Sequence, residues 1–72
     1  MTENMKIWLK ELYRTEANNH LETARFEHLC ALGAPNGEAS MLHEMNADEH
    51  RAFATILKSM ANKIEEEPTN DN

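Results

Sequence analysis

Two long stretches of helical period fill most of the chain, divided by one cluster of helix breakers. Residues 4–32 contain neither Pro nor Gly and predict a single amphipathic helix. Leu9, Glu16, His20, Glu27 and Ala31 fall on nearly one line of its wheel. Leu12, Phe26 and Cys30 flank that line on one side; Tyr13, Ala17, Leu21 and Ala24 flank it on the other. A polar row thus runs where a bundle helix is expected to be apolar. Residues 38–66 predict a second helix, with Leu42, Met45, Glu49, Phe53, Ile56 and Met60 at steps of three or four. Ala52, Leu57 and Ile64 widen that stripe.

Local signals place the ends. Thr2 or Glu3 starts the first helix, and Gly33 stops it. The turn is residues 33–37, Gly-Ala-Pro-Asn-Gly, with Asn36 as N-cap of the second helix. Pro68 disfavours helix in the residue before it. Glu65, Glu66 and Glu67 oppose the helix dipole, which predicts a frayed end. Residues 68–72 are expected to be a disordered tail. The expected fold is all-α: residues 1–67 form an antiparallel two-helix hairpin, with facing residues whose numbers sum to about 71. One hairpin cannot cover both stripes of its first helix. Two hairpins can, as a four-helix bundle, so a homodimer is the simplest assembly.

Composition narrows the function classes. Thirteen acids against seven bases give a net charge of −6, which argues against a nucleic-acid binder. Lys6, Lys10 and Arg14 make a weak basic stripe, read as a solvated face. The one cysteine, Cys30, cannot form an internal disulfide and fits a reducing, cytoplasmic setting. No run of residues has the length and apolarity of a membrane span, and none reads as a signal peptide. Neither serine has a nearby base, no glycine loop cradles phosphate, and Cys30 has no histidine on its face, so no complete catalytic set is present.

The polar row carries the candidate chemistry. Buried ionisable groups are costly unless they pair or ligate a metal. Across the turn, Glu49 interrupts the second stripe and lies level with residue 22, which gathers Glu16, His20, Glu27 and Glu49 near mid-bundle. Oxygen and nitrogen ligands of this kind suit Fe, Mn or Zn. His28, His43 and His50 fall outside the row and read as surface groups.

Glu16 on the first helix, Phe26 after it, the Gly33 turn and Glu49-His50 before Phe53 resemble half of a ferritin-like, rubrerythrin-type domain over about residues 13–57. The resemblance implies a carboxylate-bound metal centre, with Glu16 and His50 as ligands. That family's Glu-x-x-His motif is incomplete here, because Ala47 stands three before His50. Two functions are therefore expected as alternatives. One is a small acidic homo-oligomer acting through protein–protein contact, as a regulator, adaptor or inhibitor of a partner with a basic surface. The other is a ferritin-like protein with a carboxylate and histidine metal site in its core.

Overall fold

The computed structural model describes residues 1–70. Helix α1 spans Glu3–Leu32 and helix α2 spans Gly37–Glu66. They pack against each other as an antiparallel hairpin, so the fold is all-α. The molecule is a rod, with principal extents of 60 × 13 × 9 Å. No strand occurs among the described residues.

Side chains near each end satisfy the backbone groups a helix leaves unpaired. The Thr2 hydroxyl accepts from the Met5 N–H at 3.2 Å, and the Asn36 side chain accepts from the Ala39 N–H at 2.8 Å. Replacing Asn36 with Ala is expected to cost about 0.5–2 kcal/mol of stability, read from denaturant melts. At the other end α2 runs through Glu66 despite its glutamates. The Lys6 ammonium explains this: it donates to the carbonyls of Glu65 at 3.3 Å and Glu67 at 2.8 Å. A cation on those carbonyls offsets the dipole conflict. Residues 68–70 lie back on the N-terminus, where the Asn70 N–H donates to the Met1 carbonyl at 3.0 Å. The rest of the expected disordered tail, residues 71 and 72, lies outside the described residues.

The packing seam is built from small residues. The buried apolar side chains are all alanines: Ala17, Ala24 and Ala31 on α1, and Ala47, Ala54 and Ala61 on α2. Each set repeats every seven residues, the spacing that keeps one seam facing a partner helix. Small side chains let the helix axes approach closely, which fits the thin rod. A second heptad row alternates with the alanines. It holds Lys6, Tyr13, His20 and Glu27 on α1, and His43, His50, Leu57 and Ile64 on α2.

This seam reassigns the helix faces. Leu42, Met45, Phe53, Ile56 and Met60, the expected core stripe of the second helix, are all exposed. Leu12 and Phe26 on α1 are exposed as well. A stripe judged by its large side chains points elsewhere, because alanine contributes little hydrophobicity and much proximity.

Candidate functional site

Two polar pairs cross the seam. The Nδ1 atoms of His20 and His50 are 2.8 Å apart, and their ring centroids are 5.1 Å apart. A neutral ring with its proton on Nδ1 donates there to the bare Nδ1 of the other. The ring of Phe53 lies 5.4 Å from that of His20, so an aromatic residue borders the pair. Two turns toward the loop, His43 Nδ1 donates to the Glu27 carboxylate at 2.6 Å. All four side chains are partly buried. Within the hairpin these pairs satisfy one another, and no buried side-chain N or O among the described residues lacks a partner.

Glu16 and Glu49 are exposed, whereas His20 and Glu27 lie on the seam. The hairpin brings together His20 with His50 and Glu27 with His43, but not all four residues of the polar row. Among the described residues of one chain, no three His, Cys, Asp or Glu side chains converge as a metal set. Ala47, three before His50, is fully buried in the seam. A two-metal carboxylate centre therefore does not fit the ligands that one hairpin supplies. The partnership of His43 and His50 with α1 was missed because both read as surface groups. The available signal was their shared heptad with Leu57 and Ile64, set against Lys6, Tyr13, His20 and Glu27.

Helical periodicity then sorts the positions outside the seam into two broad faces. On one side of the seam lie Leu9, Leu12, Phe26 and Cys30 of α1 with Leu42, Phe53, Ile56 and Met60 of α2. Glu16, Asn19 and Thr23 of α1 and Asn46 and Glu49 of α2 form a polar belt across the middle of this face. The opposite face is charged. One groove there is lined by Arg14, Asn18, Lys58 and Asn62, and a second includes Leu21, Arg25, His28 and Arg51. His28 Nδ1 donates to Glu44 at 2.5 Å, and Arg51 donates to Asp48 at 2.6 Å.

Lys10 also pairs with Glu65. The hydrogen bond from Lys10, then its charge, hold the Glu65 carboxyl below its ordinary pKa of 4.5. A lowered folded-state pKa means the pair supports folding above the unfolded value and loses that support as pH falls through the folded one. Lys10→Met is expected to raise the Glu65 pKa, which carboxyl NMR titration would show directly; an unmoved titration would remove Lys10 as the cause.

Comparison with known proteins found no matching family model, no matching curated protein and no matching solved structure. No helix among the described residues is long and apolar enough to cross a membrane.

Proposed function

We propose that this chain acts as a homo-oligomer through protein–protein contact, and that two hairpins pair through their apolar faces as a four-helix bundle. The observation that carries this reading is the mismatch between core and surface. No large side chain is fully buried among the described residues, while Phe26 is 64% exposed, Ile56 56% and Leu42 53%. The surface area is 5225 Å², against roughly 4,600 Å² for a compact monomer of this mass. A core of six alanines is a weak basis for independent folding. Covering the face that carries Phe26, Leu42, Phe53 and Ile56 adds burial, because exposed apolar patches mark interfaces.

The assembled particle is strongly acidic, since each chain carries −6. That charge favours a partner with a basic surface and speeds its encounter. Regulator, adaptor and inhibitor are the roles open to such a particle. Sedimentation equilibrium tests the assembly: the expected mass is twice the 8.3 kDa of one chain. A folded, stable monomer at tens of micromolar would overturn the reading.

The His20–His50 pair favours a second reading, in which the bundle core binds a metal. The ferritin-like resemblance motivates it, but the residues at hand are imidazole-centred rather than a bridging carboxylate set.

A further inference from the structure

Pairing the apolar faces has a consequence for Glu16. In the lone hairpin its carboxylate meets water. In the bundle it enters the interface, where an ionised carboxylate is costly without a cation or donor beside it. The register supplies a place for that cation. The midpoint of α1 lies between Ala17 and Asn18. Two fully overlapped hairpins can be related by a twofold axis running across the helices at that level, between the apolar faces. This arrangement makes every neighbouring helix antiparallel. It also sets Leu9 opposite Phe26 and Met5 opposite Cys30 at the ends of the face, with Leu12 opposite Thr23 and Glu16 opposite Asn19 near its middle. His20 lies about 4 Å from the axis level on the loop side, and Glu16 about 2 Å on the other side. The twofold turns Glu16 of the partner subunit to the His20 side, about 2 Å from the histidine level.

We propose that His20 and His50 are two ligands of a zinc-class divalent ion and that Glu16 of the partner subunit is the third, giving two equivalent sites per dimer. The site rests on the dimer reading above and is incomplete without the second copy. The two Nδ1 atoms, 2.8 Å apart, already face each other. Opening them to about 3.3 Å seats a tetrahedral ion 2.0–2.1 Å from each. Two imidazoles and one carboxylate, with a fourth position left for water, form an established zinc ligand set. Imidazole donors favour zinc, copper or nickel over magnesium or calcium. Glu27 and His43 stay out of the site because they bind each other two turns away. The ion takes the place of the proton between the rings, which shifts to that ring's Nε2 by way of water, and it offsets the carboxylate's charge, so zinc binding and dimerisation support each other.

Zinc titration against a chromophoric chelator, with sedimentation of the same samples, tests this. Wild-type protein is expected to bind one zinc per chain and to dimerise more tightly when loaded. His50→Gln keeps a side chain of similar size and should weaken zinc binding by at least about 100-fold, beyond the 10–100-fold typical of losing a residue that only supports a ligand. Glu16→Gln should weaken it too. Mixing those two variants should restore one zinc per heterodimer, because one composite site then has all three ligands. Weakened binding without rescue would overturn the shared site. A dimer that takes up no zinc at 100 µM would overturn the metal proposal and leave the assembly standing. A monomer with and without zinc would overturn both. Circular dichroism of each variant separates ligand loss from unfolding.

Discussion

Ala54→Leu is expected to destabilise the hairpin by about 1–3 kcal/mol, the usual cost of forcing extra methylene groups into a filled contact. Ala54 is 1% exposed and lies in the seam with Ala17. A leucine there must push the helices apart, and separation at one layer loosens the alanine layers on both sides. For a domain of this size, each kcal/mol moves the melting midpoint by about 4–8 °C. The melt should therefore fall by at least about 4 °C, and further if several layers open together. Ala52→Leu is the control. Ala52 is exposed on the same helix, and surface substitutions stay within about 0.5 kcal/mol. If the two variants melted alike, the alanine seam would not be the contact that holds the hairpin.

That seam marks the boundary of what the sequence disclosed. Gly33, Pro35 and Asn36 punctuate the chain strongly enough to show an all-α hairpin. The facing pairs His20–His50 and His28–Glu44 have numbers summing to 70 and 72, beside the expected 71. Face assignment was harder. Large apolar residues dominate any hydrophobic pattern, so Leu42, Phe53 and Met60 suggested the packing stripe. Close packing instead rewards the smallest side chain, and the two alanine heptads were visible only to a search for small residues. Moving the seam by about a third of a turn exposed Glu49 and brought His43 and His50 into contact with α1. The candidate site was therefore half legible. His20 and Glu27 could be singled out as ionisable groups on a packed helix, but their partners depended on where the second helix turned its face. Glu16 fits neither heptad row of the seam. It gains a structural reason only once a second copy covers the apolar face.

Phe26→Asp provides the sharpest test of that second copy. Phe26 is 64% exposed in the hairpin, so its loss should change the stability of a lone chain by no more than about 0.5 kcal/mol. In the dimer it is buried twice, because a twofold interface uses every residue in both subunits. Burying one such side chain contributes about 1.5–3 kcal/mol. Losing two therefore weakens association by about 3–6 kcal/mol, or roughly 100- to 10,000-fold in the dissociation constant. The new carboxylates add to this, since each would enter an apolar interface without a partner. Leu29→Asp is the matching control. Leu29 is 60% exposed, but it points away from the seam, on the outer side of α1. Its replacement should leave the dimer intact. Sedimentation velocity across a concentration series would read both variants. Equal weakening by the two would mean that association does not use the face carrying Phe26. No weakening by Phe26→Asp would remove the apolar face as the basis of assembly, and the partner-supplied Glu16 ligand with it.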